Sequence, residues 1–153
     1  MPDLIRTYAD DPALRPLIAA HVAAMRGACP DTGCHVLNAS GLGAPGVQVY
    51  ALRDGDAVLG MGALRPLAPG WAELKSMHVR IDQRGRGLGR ALLDRLIAQA
   101  RAQGVTRLSL ETGHAPVFAV AVALYRAAGF SVCDAFGPYA PDPASLFMEM
   151  RLI

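Results

Sequence analysis

The chain has 153 residues, 52% hydrophobic and 18% charged, with a formal net charge of +2. That length supports one compact domain with its own core, and Arg, Asp, Gly or Pro breaks every apolar stretch before the ~20 residues a membrane helix needs. There is no basic stripe interleaved with aromatics and no signal-peptide order around Asp3, so the reading is a cytoplasmic protein with neither nucleic acid nor membrane among its partners.

Residues 4–8 form a short first strand. An Asp10-Asp11-Pro12 turn leads into an apolar-periodic stretch, Leu17, Ile18, Val22 and Met25, which predicts a helix over 16–26. Pro16 suits its first turn, where a missing N–H costs nothing. Residues 27–46 read as a loop with room for one short helix. The runs 47–53 and 56–64 are strands joined by Asp54-Gly55, a hairpin signal. A third strand, 71–80, follows a turn over 66–70.

The clearest helix comes next. Leu88, Leu92, Leu96 and Ile97, with Ala91 and Ala100, make one apolar stripe, while Arg90, Asp94, Arg95 and Gln99 stay wet. Gly104 closes it. Residues 106–111 alternate as a strand, 117–128 form a helix ended by Gly129, 130–133 form a short strand, and 145–152 alternate with Leu146, Met148, Met150 and Leu152 on one face. The order β, α, β, β, β, α, β, α, β, β mixes hairpins with a βαβ crossover. It predicts an α/β chain with a mixed sheet covered by helices.

The cysteines, Cys29, Cys34 and Cys133, are odd in number and lack a disulfide-framework spacing, which fits a reducing compartment. Cys29, Cys34, His35 and His21 are not joined by any paired CxxC, so no metal site is expected. Arg53 and Arg65 read as solvated charges. Chemistry concentrates in Gln83-Arg84-Gly85-Arg86-Gly87-Leu88-Gly89-Arg90, between a strand and an amphipathic helix. Glycines there let several N–H groups converge at a helix N-terminus, an arrangement that binds phosphate. A dinucleotide fingerprint would need glycine at Arg90, and a P-loop would need GK[ST], which is absent.

These residues resemble the GCN5-related N-acetyltransferase superfamily. Its pyrophosphate signature, [Q/R]-x-x-G-x-[G/A], is met by Arg84, Gly87 and Gly89, and its second motif by Ala121, Leu124, Tyr125, Gly129 and Phe130. Glu111-Thr112-Gly113 and the segment 142–149 are similar to a small bacterial subgroup. The resemblance implies a central mixed, mostly antiparallel sheet with helices on both faces. It implies acetyl-CoA as co-substrate, bound by Arg84, Gly85, Arg86, Gly87, Leu88, Gly89 and Arg90 at the diphosphate. Met77, His78 and Val79 would line the thioester arm, one of their N–H groups serving as oxyanion donor. Phe118 stands where many members carry asparagine, so it would pack on the arm without that hydrogen bond.

A lysine-like amine, pKa about 10.4, needs a base at neutral pH. The resemblance makes Glu73 the first candidate, with period-two alternation placing Glu73, Lys75, Met77 and Val79 on one face unless a bulge intervenes. Glu111 and His114 are its rivals, and Glu111 could equally hold the cationic amine. Tyr125 is the expected general acid for the leaving thiolate. By the same resemblance, His21, His35 and Tyr139 lie in segments that would build the acceptor wall. The chain is thus expected to be an N-acetyltransferase acting on a small-molecule or amino-acid-like primary amine, as a monomer or homodimer. The alternatives are a protein or peptide N-terminal acetyltransferase and a non-catalytic acyl-CoA sensor.

Overall fold

The computed structural model describes residues 2–28 and 42–152. The loop expectation for 29–41, with Cys29, Cys34 and His35, lies outside the described residues. Among the described residues, the strands and helices follow the predicted order: β1 (Asp3–Thr7), α1 (Arg15–Ala28), β2 (Gln48–Asp54), β3 (Ala57–Ala68), β4 (Trp71–Val79), α2 (Leu88–Ala102), β5 (Arg107–Gly113), α3 (Ala119–Ala128), β6 (Ser131–Cys133) and β7 (Ser145–Arg151). A short 3₁₀ turn, Pro12–Leu14, leads into α1. It is capped by Asp11, which accepts from Ala13 N–H at 2.9 Å and from the Thr7 hydroxyl at 2.6 Å.

The strands form one sheet in the order β1-β2-β3-β4-β5-β7-β6. Among the described strands, only β4 and β5 run parallel. They are joined through α2, which supplies the crossover such a pair requires. β3 departs from expectation by running on through Pro66 to Ala68 instead of turning there. Its pairing with β2 stops at Leu64, so Pro66 lies on a local edge, where a missing N–H costs no ladder bond.

Alternation along the strands divides the core. Tyr50, Leu52, Leu64, Leu74, Leu108, Leu110 and Met148 pack beneath Leu92, Leu93 and Leu96 of α2. Val49, Ala51, Met61 and Ala63 pack on the opposite face against Leu14, Leu17 and Ile18. Helices therefore cover both faces. Full burial of a leucine contributes roughly 1.5–3 kcal/mol. α2 approaches closely because Gly62 has no side chain: a Cβ there would lie 2.6 Å from Leu96 Cδ1.

Two irregularities shape the middle of the sheet. The β3–β4 register passes from Met61↔His78 to Ala63↔Lys75, so β4 carries one extra residue at Ser76-Met77. Ser76 takes φ +55°, left-handed for a non-glycine residue, at a cost of about 1–2 kcal/mol. The expected single face is therefore broken. Glu73, Lys75 and His78 face the α1 side, whereas Met77 and Val79 pack with Leu74 toward α2. The second irregularity is the parting of β4 and β5: their pairing ends at Leu74↔Leu110, and the strands diverge beyond it.

Candidate active site

The divergence opens a cleft walled by β4, β5, α1 and α3, with Glu73, Lys75, Glu111, Phe118 and Tyr125 in its walls. Arg80 N–H donates to the Leu59 carbonyl across the β3–β4 ladder at 2.8 Å. Because antiparallel ladders alternate, the neighbouring Val79 N–H turns away from β3 and into the gap left by β5. Of the three arm-lining residues expected, Met77 borders the cleft and Val79 offers a main-chain donor. His78 differs: its ring is buried on the α1 side, stacked edge-on against His21 at 5.3 Å.

The glycine loop follows directly. Gly85 and Gly87 take φ +80° and +76°, and the space around each is open. α2 then begins at Leu88 with no side-chain cap and no acidic residue in its first turn. The N–H groups of its first turn have no intrahelical acceptor, and the helix dipole adds positive charge at that point. Arg84 Nε donates to the Val79 carbonyl at 3.3 Å, Arg86 donates to Gln83, and the exposed Arg90 pairs with Asp94 at 2.9 Å. A Cβ added at Gly89 would lie 3.5 Å from Leu124 Cδ2 on α3, so the two helices run side by side there. The residues present thus fit a diphosphate.

α3 forms the outer wall. A 3₁₀ turn, Pro116–Phe118, precedes it. Phe118 is buried so tightly over Gly113 that any Cβ there would enter its ring. Tyr125 is buried, packs edge-on against Phe130 at 5.8 Å, and its phenol is pushed up to about 12 by that burial.

The α1-side half is polar. Arg65↔Glu73 pair across β3 and β4, and Glu73↔Ser109 across β4 and β5. The Glu73 side chain is 1% exposed. Its Oε2 accepts from the Tyr139 hydroxyl at 2.7 Å and from Lys75 Nζ at 3.3 Å. Its Oε1 lies 2.6 Å from Arg65 Nη2, close enough to pair but not aligned as a hydrogen bond. Lys75 Nζ also donates to the Tyr139 hydroxyl, and burial depresses the Lys75 pKa against the pull of Glu73. Burial raises the Tyr139 pKa, and Glu73 adds to the rise. Arg65 is thus not the solvated charge expected from the sequence. It is a partner of a buried carboxylate, a role set by hairpin register. Arg53 also has a partner, Asp11, at 3.5 Å, and is half-buried.

Glu111 continues this face on β5, accepting from the Ser145 hydroxyl at 2.7 Å. His114 is exposed beyond the end of β5, where its main-chain N–H donates to the Ala144 carbonyl at 3.4 Å. His21 borders the cleft from α1. Burial lowers the pKa of His21 and of His78 to about 4 each, so both rings are neutral near pH 7. Among the described residues, no group of three His, Cys, Asp or Glu side chains could hold a metal, and no helix is long and apolar enough to cross a membrane.

Residues 17–130 match the model of the Acetyltransferase (GNAT) family. The chain is 34% identical over 136 residues to YsnE of Bacillus subtilis, described as an uncharacterized N-acetyltransferase, covering 89% of this chain and 90% of that one. It is 42% identical over 125 residues to the IAA acetyltransferase of Azospirillum brasilense, covering 80% of each. Among solved structures, one described as an acyl-CoA N-acyltransferase from Klebsiella pneumoniae superposes with a TM-score of 0.80 at 31% identity, covering 100% of this chain and 99% of that one.

Proposed function

The chain belongs to the GNAT family of acetyltransferases, and from that premise we propose that it moves the acetyl group of acetyl-CoA directly onto the primary amine of a small, amino-acid-like acceptor. The observation that carries this reading is the parting of β4 from β5 beside an uncapped helix N-terminus. Acetyl-CoA brings an activated thioester. The N–H groups around Gly87 to Arg90 hold its diphosphate, Phe118 packs on the arm, and Val79 N–H donates into the slot. A main-chain donor to a carbonyl oxygen that gains charge is worth on the order of 3 kcal/mol in other acyl-transfer enzymes.

The amine enters from the α1 side. As the C–N bond forms and the C–S bond breaks, the amine's proton passes to a cleft carboxylate and Tyr125 donates toward the departing sulfur. Glu111 suits the first role by geometry, since it lines the cleft at the point of parting. Glu73 occupies the offset expected from sequence but is 1% exposed behind Lys75 and Arg65, so it would receive a proton only through a water or a neighbour.

Titration calorimetry of the protein with acetyl-CoA, with CoA and ATP as controls, tests the cofactor before the acceptor is known. Micromolar binding of both CoA forms but not ATP supports the reading, and absence of binding refutes it. Thiol release by Glu111→Gln and Glu73→Gln then divides the base assignment. Loss of kcat in the first with acetyl-CoA affinity intact supports Glu111, whereas loss confined to the second transfers the role to Glu73.

A further inference from the structure

Lys75 is the most deeply buried cation whose position at the cleft is fixed by register. The last parallel pairs are Glu73↔Ser109 and Leu74↔Leu110. The next step along each strand puts Lys75 and Glu111 on the same face at the point where the strands separate, and both line the cleft. The Lys75 side chain is 6% exposed. A buried ammonium is tolerated only when its donors are matched. It has three N–H donors, and the described partners take two of them, Glu73 Oε2 and the Tyr139 hydroxyl.

Nor is Glu73 available to Lys75 alone. Its other oxygen is paired with Arg65 of β3, so two cations share one carboxylate and the β3–β4 side of the gap, not β4 by itself, carries the extra positive charge. Across the gap, β5 presents the carboxylate of Glu111, oriented by Ser145. A cationic point on one strand and an anionic point on the next, one register step beyond the last pair, complement a molecule that carries a carboxylate close to its amine.

We infer that Lys75 is a specificity-determining residue that binds the acceptor's carboxylate through its third N–H. The acceptor is then an α-amino acid or a close analogue, not a simple amine. This rests on the acetyl transfer proposed above and narrows its substrate class. Arg65 and Tyr139 act as positioning residues: they share Glu73 with Lys75 and hold its ammonium at the wall. A neutral analogue would leave that buried donor unmatched, and sites built around a substrate hydrogen bond reject analogues lacking it by large factors.

The test compares kcat/KM for thiol release over a panel of L-amino acids, their carboxamides and their decarboxylated amines. Free acids are expected to exceed both neutral series by about a hundredfold or more, within the range that hydrogen-bonding sites achieve. Lys75→Met is expected to erase most of that difference, chiefly through KM, with acetyl-CoA affinity unchanged by calorimetry. Lys75→Arg is expected to keep it. Carboxamides equal to acids in the wild-type protein, or no acid accepted anywhere in the panel, overturns the inference whatever the variants do. Failure to bind acetyl-CoA would refute the proposed function instead.

Discussion

Replacing Tyr125 by Phe removes one hydroxyl and leaves a ring that still packs against Phe130 at 5.8 Å. Because burial holds this phenol at about 12, the hydroxyl keeps its proton across the working range of pH. The departing thiol has a pKa near 8.5, and each pH step is worth 1.36 kcal/mol. Complete transfer from a phenol at about 12 would therefore run uphill by about 5 kcal/mol, so the hydroxyl acts first as a hydrogen-bond donor to sulfur as charge builds. A hydrogen bond to a charged acceptor contributes about 1.5–3 kcal/mol, which is about 10- to 150-fold in rate. Tyr125→Phe should thus lower kcat by that factor in a thiol-release assay on a proven acceptor, with the calorimetric affinity for acetyl-CoA unchanged. A kcat within threefold of wild type, roughly 0.6 kcal/mol, would remove Tyr125 from the chemistry.

Gly87→Glu places a side chain at φ +76° and a negative charge in the phosphate nest; calorimetry should show acetyl-CoA binding lost, and retained affinity would dismiss the site. Gly60→Ala brings a Cβ to 2.9 Å from the His78 carbonyl oxygen; because that neighbour is backbone, urea denaturation should show a loss of about 1–3 kcal/mol. The pH dependence of stability follows from His21, whose pKa falls from 6.5 unfolded to about 4 folded, chiefly through burial. A depressed folded pKa gives stability that is complete above pH 6.5 and lost as pH falls toward 4, at most about 3 kcal/mol. His21→Leu should flatten the fall in melting temperature between pH 6.5 and 4, and an unchanged slope would mean other groups govern it.

Much of this architecture was legible because its signals are local. Asp54-Gly55 announces a hairpin, and the stripe Leu88, Leu92, Leu96 announces α2. The glycine loop was legible for the same reason. Burial of the ionic cluster was not, because alternating charges such as Arg65, Glu73 and Lys75 look the same whether water or a second strand faces them. Tyr139 comes from 64 residues beyond Lys75, and no local pattern reports so distant a contact.

The bulge in β4 was the least legible feature and has the widest effect. Glu-Leu-Lys-Ser-Met-His-Val reads as plain alternation, and Ser76 is not a residue type that requires φ +55°. In unbroken alternation Met77 and Val79 would share the face of Glu73 and Lys75, crowding acyl donor and acceptor onto one side of the sheet. One extra residue reverses the parity. Glu73 and Lys75 then serve the α1 side while Met77 and Val79 serve the side of α2 and α3, and the two substrates can meet through the gap rather than compete for one wall. Deleting Ser76 tests this directly: the ladder should regain its register with Met61 and Ala63, and acetyl transfer should be lost even though the shortened protein still melts cooperatively.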